Sequence, residues 1–290
     1  MSPTVPPDHG DGLDGLSEVS RKAFSETSDP AAYVGRPASD AALDAVDRWL
    51  EGGATVGALV STPGLGKTML LRVVEARLGE RGMASRSAAG RPNALYLPYA
   101  GLGPIDLAIW VHGLLGRPAP TITEAGEAVE ALARLGEGPD APFTLLLDDA
   151  DSMPSETIEA ITSMLPTERS SLRLLLALNP DSKGSRLVAA LHALAPQEIR
   201  YRERLSPVET RAYVRARMRW AGFAAAEIDR VDDEESRRIH ALSNGIPRAI
   251  HAVAADRLQA GSAIGGAEGL GAKRRREDWM GRPIEDDLEL

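Results

Sequence analysis

Between Val56 and Thr68 an apolar run, VGALVS, gives way to the turn TPGLGKT and then to a helical pattern. That order of residues constrains the fold more than any other stretch of the chain, because it ends a buried strand in a glycine turn and starts a helix directly behind it. Backbone N–H groups of such a turn face inward, and the helix offers its positive N-terminus, so the pocket suits the oxygens of a phosphate chain. In the P-loop pattern the lysine reaches the β and γ phosphates and the following hydroxyl ligates magnesium. Here those residues are Lys67 and Thr68. The pattern normally opens on glycine, and Ser61 stands in that place. Gly64 and Gly66 remain to supply the backbone angles that other residues adopt reluctantly. The loop is therefore expected to close around phosphate through Thr62, Pro63, Gly64, Leu65, Gly66, Lys67, Thr68 and Met69. The competing reading is a glycine turn with a chance lysine.

The surrounding periodicity agrees with an α/β fold. Strands are expected at Val56 to Ser61, Ala94 to Tyr99, Phe143 to Leu147, Leu172 to Leu178 and Ile199 to Leu205. Helical patterns lie between them, at about Asp40 to Leu50, from the loop to Leu78, Ile105 to Leu115, Ile122 to Leu135, Ser155 to Leu165 and Ser185 to Leu194. Apolar runs alternating with helices imply a parallel sheet with both faces covered. From Ser206 to Ala260 the pattern is purely helical, with three helices expected, which marks a domain boundary. The first 30 residues are rich in Pro, Gly, Asp and Ser and are expected to be flexible. From Gly261 a glycine-rich linker leads into a charged tail.

Several further residues point to chemistry. The strand Leu145-Leu146-Leu147 delivers Asp148 and Asp149 to the carboxyl edge of the sheet, where ligands bind in open α/β folds. Asp148 would hold magnesium, and Asp149 would polarise an attacking water. The alternative is a solvated turn whose acids cap a helix. Asn179 ends the next strand and is placed to reach a γ-phosphate or a water, although asparagine before proline is also a common turn former. Gly245-Ile246-Pro247-Arg248 opens the last helix, with Pro247 suited to a first turn. Arg248 would then project onto the phosphates, or stand as a plain surface arginine.

Taken together these motifs resemble an AAA+ ATPase over roughly Ala31 to Ala260. The resemblance implies a P-loop NTPase sheet flanked by helices over 31–205, then a small all-helical lid domain over 206–260. It identifies Asp148 and Asp149 with Walker B, Asn179 with sensor 1 and Arg248 with sensor 2. Tyr33-Val34-Gly35-Arg36 resembles the segment that lies against adenine, so Tyr33 and Val34 are expected at the base. ATP with Mg2+ is the implied ligand. Asp149 occupies a place where the family usually has glutamate, one methylene longer, which implies slower hydrolysis. An arginine given in trans by a neighbouring subunit is also implied, with Arg186 and Arg200 as candidates, and so is a homo-oligomer. Within the family, Leu205-Ser206-Pro207 to Met218 and Ser243 to Arg248 are similar to the bacterial group that includes ExeA/GspA and TniB/TnsC-like ATPases.

Composition narrows the function classes. The formal charge of −9 works against a broad grip on DNA, which needs a dense basic field. Aromatic residues make up 4% of the chain, so stacking platforms for single strands are not evident. There is no cysteine, and the 5 histidines show no paired spacing, so a zinc centre is not expected. No membrane span or signal peptide is evident, and a cytoplasmic location is expected. In the tail, Lys273-Arg274-Arg275-Arg276 sits among acids and reads as a solvated polyampholyte, or, with Trp279 and Met280, as a short docking motif. The leading expectation is an ATP-driven motor or assembly switch acting on a protein partner. The alternatives are a nucleotide-gated scaffold with little hydrolysis and a DNA-associated regulator of the transposition type.

Overall fold

The computed structural model describes residues 11–84, 93–137 and 142–264. The tail segment that begins at Gly261, with its basic run, Trp279 and Met280, falls outside the described residues from 265 onward. In chain order the elements are α1 (Asp11–Phe24), α2 (Pro37–Gly52), β1 (Val56–Ser61), α3 (Lys67–Ala84), β2 (Ala94–Leu97), α4 (Pro104–Leu114), α5 (Ala125–Ala133), β3 (Phe143–Leu147), α6 (Ser155–Met164), β4 (Leu172–Leu178), α7 (Ser182–Ala190), β5 (Gln197–Tyr201), α8 (Pro207–Ala221), α9 (Ala225–Asp229), α10 (Asp233–Ser243) and α11 (Pro247–Ile264).

The strands form one parallel sheet in the order β2-β3-β4-β1-β5. β1 and β3 are buried along their whole length, as a parallel strand covered on both faces must be. Side chains alternate between two cores. Val56, Ala58 and Val60 join Leu145, Leu147, Leu174 and Leu176 against α4 to α7, whereas Leu59, Leu146, Leu175 and Ala177 pack against α2 and α3 with Trp49 and Leu71. A third core joins Val214, Met218, Ile239 and Ile250 in the helices after β5. Among the described residues no helix is long and apolar enough to cross a membrane.

Over residues 11–30 the structure corrects the expectation of a flexible leader. α1 is helical, and its Ala23 and Phe24 are buried in the third core, with Val19 packed against it. Val19 and Ala23, four apart, share one side of the helix, and so short a stripe does not stand out among polar neighbours. Arg217 of α8, 1% exposed, fixes this arrangement by donating to the carbonyls of Ala23 at 2.8 Å and Ala32 at 3.0 Å. The last strand also ends earlier than expected, at Tyr201. Leu205 is buried in the helical core instead, and its N–H donates to the Gly245 carbonyl at 2.8 Å. The helical region holds a fourth, short helix, α9, because Gly222 (φ 100) stops α8 in a left-handed cap.

Candidate functional site

β1 runs to Ser61, the chain turns through Thr62 to Gly66, and α3 starts at Lys67. Gly64 has φ 83 and Gly66 has φ 104, the left-handed angles expected of the two remaining glycines. Ser61 is fully buried and still in the strand, paired with Tyr201 of β5, so a side chain is tolerated where the usual pattern has glycine. A Cβ on Gly64 would come within 3.0 Å of Ile246 Cγ2 and 3.2 Å of Arg248 Cβ. The loop therefore touches the start of α11, and the Arg248 N–H donates to the Gly64 carbonyl at 3.2 Å.

The polar side chains meet at the carboxyl edge of the sheet. Lys67 Nζ donates to the Ser61 carbonyl at 2.8 Å and to Asn179 Oδ1 at 2.9 Å. Burial pushes the Lys67 ammonium below the usual lysine value, while Asp148 and Asp151 act in the opposite direction. Thr68 Oγ1 donates to Asp148 Oδ2 at 2.6 Å, and the Tyr96 hydroxyl donates to the same oxygen at 3.1 Å. Burial, followed by the Asp148 charge, raises the Tyr96 phenol above its ordinary value, so it stays a donor. The other Asp148 oxygen accepts the Asp149 N–H at 3.0 Å.

Magnesium prefers oxygen ligands and keeps much of its water, taking one or two carboxylates from the protein. A hydroxyl and a carboxylate 2.6 Å apart, beside a loop built for phosphate, fit that requirement. Asp149 follows with φ 49 and ψ 40, a left-handed conformation that aspartate tolerates better than most residues. Its side chain is exposed at the sheet edge. Such a backbone costs on the order of 1–3 kcal/mol and marks a turn held in place by its surroundings. Ser152 holds it, with Oγ donating to the Asp149 carbonyl at 2.6 Å.

These residues line a cleft of about 570 Å³. Tyr33, Val34, Pro63, Gly64, Leu65, Gly66, Lys67, Thr68, Met69, Asp148, Asp149, Asn179 and Arg248 all stand on its wall. Thr62 does not: it sits at the start of the turn, where its carbonyl accepts the Leu65 N–H at 3.3 Å. The Tyr33 hydroxyl hydrogen-bonds with Ser39 Oγ at 2.8 Å and donates to Asp40 Oδ1 at 2.9 Å, which ties its ring to α2. The Arg248 head is engaged with Glu26, 2.7 Å away, and both side chains are largely exposed. Arg186 and Arg200 lie away from the cleft, and Arg200 pairs with Glu198 at 2.9 Å.

Sequence reasoning missed several cleft residues. Asp151 accepts from Asn179 Nδ2 at 2.7 Å, although the stretch DDADS reads as helix-capping acids. Tyr96, missed as well, stands behind the cleft wall: it is buried in the second core on β2, next to β3, and its hydroxyl reaches Asp148. Tyr213, Arg217 and His251 come from helices far along the chain, and no local motif announces them.

Residues 50–184 match a family model described as an AAA domain. Cdc6p from Pyrobaculum aerophilum superposes with TM-score 0.62 at 17% identity, over 84% of this chain and 66% of that one. The fold is that of an AAA+ protein. The Aeropyrum pernix ORC2 protein, solved in ADPNP and ADP complexes, gives TM-score 0.55 at 18% identity, over 87% of this chain and 69% of that one. The Aeropyrum pernix ORC1 protein, solved in complex with DNA, gives 0.52 at 18% identity, over 90% and 62%. The chain described here spans about two thirds of the length of these relatives in fold. No curated protein matches its sequence. In AAA+ terms the helices after β5 correspond to the lid, and the cleft lies between lid and sheet.

Proposed function

We propose that this AAA+ chain binds ATP with magnesium and hydrolyses it, and that the cycle drives a motor or assembly switch acting on a protein partner. The observation that carries the reading is the convergence of Lys67, Thr68, Asp148 and Asn179 within hydrogen-bond reach at the mouth of a glycine loop. Few structural roles call for a half-buried lysine joined to a strand-end amide beside a hydroxyl–carboxylate pair.

In this reading the loop N–H groups and the α3 N-terminus hold the β-phosphate. Lys67 gives up its contacts with Ser61 and Asn179 to donate to the β and γ oxygens. Thr68 and Asp148 would hold magnesium, which when bound neutralises charge on the phosphates. Asn179 donates to the γ-phosphate, and Asp149, extending from its left-handed turn, orients the attacking water. Arg248 leaves Glu26 and reaches over from the lid. Tyr33 and Val34 take the base. Residues 31–205 would act as the nucleotide-binding unit and 206–260 as the lid, with α1 carried on the lid by Arg217.

A second reading, a nucleotide-gated scaffold with little turnover, is favoured by a specific observation. Asp149 is one methylene shorter than the usual glutamate and is exposed, and Arg186 and Arg200 lie away from the chain's own cleft. Either would have to enter a neighbour's cleft, in a homo-oligomer, to act on phosphate. The resemblance to the ExeA/GspA and TniB/TnsC-like group rests on the lid sequence and says little about the partner. A DNA partner is disfavoured by the charge of −9.

Isothermal titration with ATP and magnesium tests the binding half of the proposal. Wild-type protein is expected to bind, and Lys67→Ala to bind at least about tenfold more weakly, the loss of one charged hydrogen-bond set. Equal affinity in the two proteins would remove the loop from the account.

A further inference from the structure

We propose that Asp151 is a positioning residue for Asn179: its carboxylate fixes which way the amide faces and thereby sets how well the protein tells ATP from ADP. The inference rests on the proposed ATP site and deepens it. Asn179 Nδ2 donates to Asp151 Oδ2 at 2.7 Å, and Asn179 Oδ1 accepts from Lys67 Nζ at 2.9 Å. Lys67 continues the chain to the Ser61 carbonyl at 2.8 Å.

A terminal amide has two ends of nearly the same shape, and its neighbours decide which end points where. Here both neighbours demand the same answer. An ionised carboxylate can only accept, and an ammonium can only donate. Asp151 therefore takes one of the two Nδ2 hydrogens and leaves the second for an acceptor in the cleft. With the opposite orientation the amide oxygen would face the γ-phosphate and repel it.

The position of Asp151 is itself well held. It sits in the short 3-10 turn Ala150–Ser152, which packs against β4 and α7. The turn is closed by the Ser152 N–H and hydroxyl, both donating to the Asp149 carbonyl, at 3.1 and 2.6 Å. One turn thus sets Asp148, Asp149 and Asp151 relative to each other. Asp151 Oδ1 is buried without a hydrogen-bond partner. A carboxylate kept in that state forfeits solvation that an exposed capping acid would retain, which is unexpected for a residue that only starts a helix. The interaction also explains why Asn179 matters chemically despite a turn-forming sequence context.

ADP lacks the group that Asn179 would contact, so the orientation affects ATP selectively. The test uses the full chain and competition against a fluorescent nucleotide, with ADP and a non-hydrolysed ATP analogue, in wild type, Asp151→Ala, Asp151→Asn, Asn179→Ala and the double alanine variant. Asp151→Ala is expected to lose about tenfold in preference for the ATP analogue, as Asn179→Ala does, with ADP affinity unchanged within about twofold. The double variant should be no worse than Asn179→Ala alone, since both remove one interaction. Asp151→Asn can still offer an oxygen to Nδ2 and should recover most of the preference, which a role as proton acceptor would not allow. An Asp151→Ala protein with the wild-type ratio overturns the proposal, and so does one that loses ADP and ATP affinity together. Wild-type protein that binds neither nucleotide refutes the ATP site itself, and the positioning role with it.

Discussion

Arg217 joins the N-terminal helix to the lid, and replacing it by methionine isolates what its charged head contributes. The apolar stem would remain to fill the same space. Two bonds disappear, to the buried carbonyls of Ala23 and Ala32 at 2.8 and 3.0 Å. Hydrogen bonds from a charged donor are worth about 1.5–3 kcal/mol each, so the gross loss is about 3–6 kcal/mol. Arg217 Nη2 is buried without a partner, and removing it relieves about 1–3 kcal/mol of desolvation. The guanidinium also lies 4.7 Å over the Trp220 ring, a contact worth ~1 kcal/mol or more when desolvated. Together these contributions give a net loss of about 1–6 kcal/mol, centred near 3–4 kcal/mol. It should be read by urea denaturation followed through Trp fluorescence, with hydrogen exchange over residues 18–34. Exchange in that segment should speed up before the sheet unfolds, because α1 packs on α8 and α11 of the lid. A loss under about 1 kcal/mol with unchanged exchange would refute the reasoning, since it would mean that the two carbonyls find other donors at no cost.

Other variants address the cleft. Tyr96→Phe removes the 3.1 Å donor to Asp148 and should weaken magnesium-dependent binding by about threefold to tenfold, with fold stability little changed; titration of magnesium in the presence of nucleotide checks it. Glu26→Gln removes the partner that holds the exposed Arg248 head at 2.7 Å, and ATP affinity should rise by no more than about fivefold, because exposed pairs are weak; the increase should shrink in high salt. Burial, followed by the Arg217 charge, lowers the His251 pKa from 6.5 to about 4. The unfolded chain then holds more protons between those values, so His251 contributes stability above pH 6.5 that is lost as pH falls toward 4. Denaturation of His251→Gln should show a shallower decline across that window than wild type, and parallel curves would contradict the assignment.

The sheet and the phosphate loop were legible because they depend on local order: a buried strand must be apolar throughout, and the loop chemistry sits in consecutive residues. β1, β3 and β4 lie where the sequence places them, with the same bounds. The places where the reading departs are those set by distant packing. α1 is too polar to announce itself, and it is ordered by a lid arginine that is far along the chain. Leu205 looks like the end of a strand because it is apolar, but its apolar neighbours belong to the lid. In the site, Asp148 and Asn179 stand at strand ends as expected, whereas the partner of each side chain depends on which strands are adjacent. The order β3-β4-β1 puts Asn179 between Asp151 and Lys67, and no spacing in the sequence reveals that. Arg248 illustrates the reverse case: its place at the start of α11 follows from Pro247, but its contact with Glu26 follows from how α1 docks.

The central claim, that the cleft turns over ATP and does so in an assembly, is tested most directly by steady-state phosphate release with ATP and magnesium over a series of protein concentrations. Lys67→Ala and Asp149→Asn serve as controls. The account predicts a rate per subunit that climbs with concentration, as an arginine donated in trans requires, and that is abolished in both variants. No release above the controls, with ATP bound by wild type and lost only in Lys67→Ala, would contradict the hydrolytic cycle and leave a nucleotide-gated scaffold.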